Sequence, residues 1–259
     1  MKSIPKNQGS NEERTSEYIN TWNTEKLIKN LINKSDPCIF DVGSNNGSSI
    51  YDFKNWWPES IIHCFEPQEE CYQSLKETAL KFDKGEIHIN ICAAGSISSE
   101  NQTFYTHNIN SGVSGFNKIN TKSSDSIKLE RLKQQSEQDR NNYINSINQD
   151  REVKVTRLDE YIDSFKSDLH IDFLKIDTQG HEVEVLEGIG KKLENVDLVL
   201  TELMFFDFYE KSLSFSDIEK YLHKYNFRIY DISHISKNPM NGRTDWVDVI
   251  YINNRIVEK

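Results

Sequence analysis

The sequence is short of several things. Of its 259 residues only four are cysteine (Cys38, Cys64, Cys71 and Cys92), with no C-x-x-C pair and no histidine at zinc spacing. That excludes a disulfide framework and a zinc cluster. Three of the four lie in strand-like apolar runs, where reduced core residues are expected. Long apolar runs are also missing, since stretches such as Val196–Leu200 fall far short of the ~20 residues a membrane span needs. The start, Met1-Lys2-Ser3-Ile4-Pro5, has no apolar segment of the secretory kind, so a cytoplasmic protein is expected. Positive charge is scarce: 31 Lys and Arg stand against 41 Asp and Glu, a net charge of −10. Such a surface repels phosphate backbones, so nucleic acid is not an expected partner. The apolar share, 36%, is below the roughly 45–50% of an ordinary globular chain. Aromatics at 11% and plentiful isoleucine still allow a core.

What is present is a regular alternation. Tyr18, Ile19, Trp22, Leu27, Ile28, Leu31 and Ile32 recur at helical steps until Ser35-Asp36-Pro37 ends them. Strand-like runs follow at Cys38–Val42, Ile61–Phe65, Ile87–Ala94, Ile171–Asp177 and Asp197–Leu203, with helical patterns between them. This predicts an α/β fold: a doubly wound, mainly parallel sheet with helices on both faces. Two late strands, Arg228–Ile232 and Val247–Ile252, have no clear helix between them and predict an antiparallel edge. Residues 1–36 are read as a lead-in and a helix packed on the core, and 37–259 as the main domain. A polar insertion at about 118–150 has few large apolar groups and is expected to be a mobile flap or a partner arm.

In such a sheet ligands sit beyond the carboxyl ends of the strands. The first strand runs into Asp41-Val42-Gly43-Ser44-Asn45-Asn46-Gly47. The glycines miss the dinucleotide fingerprint G-x-G-x-x-G. The run resembles instead the D/E-x-G-x-G-x-G loop of S-adenosylmethionine-dependent methyltransferases, with Asn45 at the middle glycine. Asparagine tolerates the left-handed conformation better than other non-glycine residues do. Glu66 ends the second strand about 20 residues further on, where a carboxylate can accept both ribose hydroxyls of a nucleoside.

Together with Phe65-Glu66-Pro67, Leu158-Asp159-Glu160-Tyr161, Lys175-Ile176-Asp177-Thr178-Gln179-Gly180-His181-Glu182 and Leu200-Thr201-Glu202-Leu203, this loop resembles the FkbM-type methyltransferase family. The resemblance covers about Cys38 to Phe206. It implies a class I, Rossmann-like methyltransferase fold, S-adenosylmethionine as donor, and O-methylation of a sugar, glycan or natural-product hydroxyl. The donor-binding set it implies is Asp41, Gly43, Ser44, Asn45, Asn46, Gly47, Glu66, Pro67, Ala94 and Asp177. The loop Ser111–Phe116 is placed across the site by the same resemblance.

An alcohol acceptor needs its proton removed or its oxygen bound to a metal. The candidates nearest the reacting methyl are Asp177, His181 and Glu202. His181 titrates near neutrality and is a candidate base, or else a solvated residue in a first helical turn. Asp177 with Glu202 is a candidate hard-oxygen site for a divalent cation such as magnesium. Phe205-Phe206-Asp207-Phe208-Tyr209 can wall an acceptor pocket or pack as core. An RNA ribose methyltransferase and a non-catalytic binding protein on the same fold are the alternatives, and a homo-oligomer stays open.

Overall fold

The computed structural model describes residues 9–108, 110–123, 126–166, 168–211 and 213–257. The chain opens with two helices rather than one, α1 (Asn11–Thr21) and α2 (Thr24–Ile32). Ser10 caps α1 in a capping box with Glu13, so helix begins where a loose lead-in was expected. Asn23 caps α2 by accepting from the Lys26 N–H, which breaks the pattern at Trp22. Then follow β1 (Cys38–Val42), α3 (Ser48–Trp56), β2 (Ile61–Phe65), α4 (Glu69–Ala79) and β3 (Glu86–Asn90). The expected third strand is split. After Asn90 the chain leaves the main sheet, and β4 (Ala93–Ala94) pairs with Val155 and Thr156 instead.

Next come β5 (Ser99–Thr106), α5 (Ile127–Lys133), α6 (Glu137–Ser146), β6 (Gln149–Thr156), α7 (Leu158–Phe165), β7 (Ile171–Ile176) and α8 (Glu182–Ile189). The chain closes through β8 (Val196–Met204), α9 (Phe215–Lys224), β9 (Phe227–Lys237) and β10 (Thr244–Asn253). The main sheet has seven strands in the order β3-β2-β1-β7-β8-β10-β9, and β4-β6-β5 form a second, three-stranded sheet. β10 runs antiparallel to both β8 and β9, as the missing crossover helix predicted.

Each central strand divides its side chains between two cores. From β1, Phe40 and Val42 join α7, α8 and α9 on one face, while Ile39 joins α2, α3 and α4 on the other. Fully buried residues of this size each stabilise by roughly 1.5–3 kcal/mol. Cys38, Cys64, Cys71 and Cys92 are all buried free thiols. Among the described residues no helix is long and apolar enough to cross a membrane.

Within the polar insertion, expected as a mobile flap or a partner arm, the described residues form two helices. α5 and α6 bury Ile119, Leu132, Tyr143 and Ile147 against Tyr209, forming a small core of their own. Backbone bonds from Asn120 N–H to Phe208 O (2.7 Å) and from Glu210 N–H to Lys118 O (2.8 Å) fasten it to the loop after β8. The last insertion residues start β6, which pairs with β5.

Candidate active site

The order of strands reverses between β1 and β7, and the carboxyl ends of β1, β2 and β7 open onto one cleft of about 610 Å³, counting its open mouth. Six of the expected donor residues line it: Gly43, Asn45, Glu66, Pro67, Ala94 and Asp177. Gly43 has φ +85°, and a Cβ there would overlap the carbonyl oxygen of Asp177. The strands can come this close only with glycine at that point. Asn45 does adopt the left-handed conformation, at φ +43°. Its N–H donates to Glu66 Oε2 (2.8 Å), and its side-chain oxygen accepts from Ser111 Oγ (2.8 Å). Glu66 is buried, with Oε1 accepting from the Gln68 N–H at 2.9 Å. Burial pushes its carboxyl above the usual range, opposed by these hydrogen bonds. The cleft therefore has a built acceptor group on one wall and a side-chain-free backbone on the other. That combination fits a nucleoside-bearing donor.

The other four expected donor residues stand outside the cleft lining and shape the loop instead. Asp41 is completely buried; it accepts from Ser49 Oγ and lies 3.3 Å from Lys175 Nζ. Ser44 Oγ donates to Asp41 O (2.8 Å), and Asn46 Oδ1 accepts from Ser48 at the start of α3. Gly47 supplies the left-handed N-cap of α3 at φ +88°. A short loop must spend most of its side chains on its own hydrogen bonds, so only part of the motif faces the ligand.

The β7–α8 turn is held from within. Glu182 is buried, and its Oε1 accepts from the N–H groups of Thr178 (3.1 Å) and Gly180 (3.1 Å). Burial raises its carboxyl to about 7 in spite of these bonds. Gln179 has φ +58° and spans the turn. Its Nε2 donates to Asp177 Oδ1 (2.8 Å), and its Oε1 accepts from the Tyr209 hydroxyl (2.7 Å). Lys175 lies behind, 3.5 Å from Asp177 Oδ2. Burial works against its charge, but Asp41 and then Asp177 outweigh it and hold the ammonium above its usual range. His181 is buried under Phe116, with ring centroids 4.2 Å apart, and lines neither this cleft nor the next. Burial pushes it down to about 4. The structure thus separates His181 from the other two catalytic candidates.

A second cleft of about 680 Å³ adjoins the first, and Gly112 and Gln179 line both. Its walls are Val113, Met204, Phe206, Phe208 and Trp246, with Glu202 as its acidic group. Phe206 and Phe208 thus come from the aromatic run, and Tyr209 is spent on Gln179 and the insertion core. Trp246 escapes sequence reading because it arrives through β10, opposite Met204, from more than forty residues further along the chain. Lys175 and Gln179 were legible only as parts of a motif, since their partners come from other strands and loops.

Among the described residues no third His, Cys, Asp or Glu side chain clusters with Asp177 and Glu202 at ligand distance. The group that does cluster is His170, Asp172 and Asp197 at the far end of β7 and β8. Lys34 (2.9 Å from Asp172) and Arg255 (2.6 Å from Asp197) already neutralise those carboxylates.

No curated protein matches the chain. Among solved structures it is similar to a rRNA methylase from Streptococcus thermophilus (10% identity, 89% of this chain and 93% of that one, TM-score 0.45). It is also similar to a precorrin-6y C5,15-methyltransferase from Geobacter metallireducens (10%, 88% and 86%, TM-score 0.44). A third is the magnesium protoporphyrin IX methyltransferase of Synechocystis with bound S-adenosylmethionine (8%, 95% and 86%, TM-score 0.44). Residues 41–229 match the methyltransferase FkbM domain, a range that holds the described cleft residues except Trp246. The protein belongs to the FkbM methyltransferase family.

Proposed function

We propose that this protein is an O-methyltransferase acting on a hydroxyl of a small acceptor, a sugar, glycan or natural product. The observation that carries the reading is the pair of adjoining clefts sharing Gly112 and Gln179, with Asp177 on the donor side and Glu202 on the acceptor side. S-adenosylmethionine supplies an electrophilic methyl on a sulfonium. Gly43, Asn45 and Glu66 hold the nucleoside end, and Asp177 faces the positively charged end. Holding both reactants in line supplies much of the acceleration. Glu202 accepts the hydroxyl proton, and Phe206, Phe208 and Trp246 pack against the acceptor's apolar face. This reading assigns no step to a divalent metal.

The acidic balance of the chain and the apolar walls of the second cleft favour a small acceptor over RNA. The test is consumption of labelled donor against a panel of glycans, aryl glycosides, nucleotide sugars and RNA, with and without EDTA. A methyl ether on a small acceptor, formed equally in EDTA, is expected. Methylation of RNA alone, or abolition by EDTA restored with magnesium, would overturn the reading.

A further inference from the structure

Glu202 occupies an unusual position. It lies in the second cleft among Val113, Met204, Phe206, Phe208 and Trp246, and its carboxyl takes no hydrogen bond and no ion pair from any described residue. The ionisable groups acting on it are mostly acids: Asp248 stands opposite it in the β8–β10 pairing, Glu182 lines a pocket with it, and Asp177 acts on it from the end of β7. Lys175 is the opposing cation, but it is held by Asp41 and Asp177. Lys211, on the same side, is committed to Glu184 at 3.0 Å. Arg243 lies over the Phe206 ring and pairs with Asp245 at 3.1 Å. His234 acts on Asp248 rather than on Glu202 directly. Tyr209 is a buried phenol that stays neutral. A carboxyl so placed has every reason to keep its proton until positive charge arrives nearby.

The family's donor brings that charge. With its nucleoside at Glu66, its sulfonium end would lie toward Asp177, beside the Gln179 that lines both clefts. We propose that donor binding itself switches Glu202 from carboxylic acid to carboxylate, so that the base is made only when the methyl is in place. This deepens the proposed O-methyl transfer and rests on it. Burial, with Asp177 and Asp248 adding to it, raises Glu202 to about 8 before the donor binds. In the transfer Glu202 receives the hydroxyl proton as the O–CH3 bond forms and the S–CH3 bond breaks. The carboxylate and sulfonium charges cancel, leaving neutral Glu202, a methyl ether and a thioether. With the sulfonium charge gone, Glu202 keeps its proton and returns to its resting form, which sets donor-first binding as the working order.

The test compares S-adenosylmethionine with S-adenosylhomocysteine, which differ in the charge at sulfur. Titration calorimetry of the whole protein at pH 7.5, in buffers of different ionisation enthalpy, counts protons released per ligand bound. A group at about 8 is about three-quarters protonated at that pH, so S-adenosylmethionine is expected to release about half a proton more than S-adenosylhomocysteine. Glu202→Gln should abolish that difference while still binding both ligands. Equal release by the two ligands in the unaltered protein, or a difference that survives in Glu202→Gln, overturns the switch. Failure of the unaltered protein to bind either ligand would instead overturn the donor assignment.

Discussion

At the residue scale the donor cleft is most exposed to test at Glu66 and Gly43. Glu66 accepts from the Asn45 N–H, the Gln68 N–H and the Gln68 side-chain amide, which leaves one lone-pair site on Oε2 for a ribose hydroxyl. Hydrogen bonds to a charged group are worth roughly 1.5–3 kcal/mol each. Glu66→Ala should therefore weaken S-adenosylmethionine binding at least about tenfold by calorimetry; unchanged affinity would remove Glu66 from the donor site. Two glycines separate conformational strain from crowding. Gly43 and Gly242 both have positive φ (+85° and +75°), but only at Gly43 would a Cβ meet a neighbour, since nothing lies within 4 Å of Gly242. Gly242→Ala is expected to cost about 1–2 kcal/mol in a melt and leave donor binding alone. Gly43→Ala should lower stability further and abolish binding, because the β1 loop cannot then approach Asp177. Similar melting of the two variants would contradict the contact. These roles were half legible in the sequence. The motif located the loop, but only packing shows that Asp41, Ser44 and Asn46 serve the loop itself.

At the element scale the insertion packs more closely than its composition suggests. Its apolar residues are few, but Leu132, Tyr143 and Ile147 fall on one side of α5, α6 and their exit and meet Ile119 and Tyr209. A composition count sees scarcity, whereas a satellite core needs only a handful of residues in the right register. Truncating one of them should cost about 2–5 kcal/mol locally. In Leu132→Ala, hydrogen exchange should quicken across 119–147 while β1, β7 and β8 keep their protection. Uniform loss of protection across the central sheet would show that the insertion is integral to the global fold. The start of α1 was readable, because Ser10-Asn11-Glu12-Glu13 is a capping-box spelling. The departure of β4 was not: Ala93 and Ala94 continue an apolar run, and only β6 offers them a different partner.

At the scale of the whole molecule, buried ionisable groups set opposing limbs of a stability curve. Burial lowers both His63 and His181 to about 4. Both stay neutral in the fold, so the stability linked to them is present above about pH 6.5 and is lost as pH falls through 4. Glu182 and Glu202 are raised by burial to about 7 and about 8. Their contribution is complete below the unfolded value of about 4.5 and is lost as pH rises through those folded values. Above about pH 6.5 only the carboxyl limb operates, so the melting temperature is expected to fall between pH 6.5 and 8.5. Glu202→Gln should flatten that limb, gaining on the unaltered protein at pH 8.5 and gaining little at pH 5. Melts followed across this range decide it: parallel curves for the two proteins would mean that Glu202 ionises freely in the fold.

The alternation of strands and helices in the main sheet, its two-sided burial, the antiparallel edge and the place of the glycine loop were legible in the sequence, because each depends on periodicity or on residues close along the chain. The tertiary structure decided which candidates share a site. His181 is adjacent in sequence to Gly180, yet it turns under Phe116, while Glu202 and Trp246 arrive on neighbouring antiparallel strands to face one cleft. It also decided protonation, since the same glutamate side chain stands in a hydrogen-bonded loop at Glu66 and among acids and aromatic rings at Glu202. A local pattern specifies the direction of a side chain along its own element. Its dielectric surroundings and charged neighbours come from segments far apart in the chain, and no local pattern encodes them.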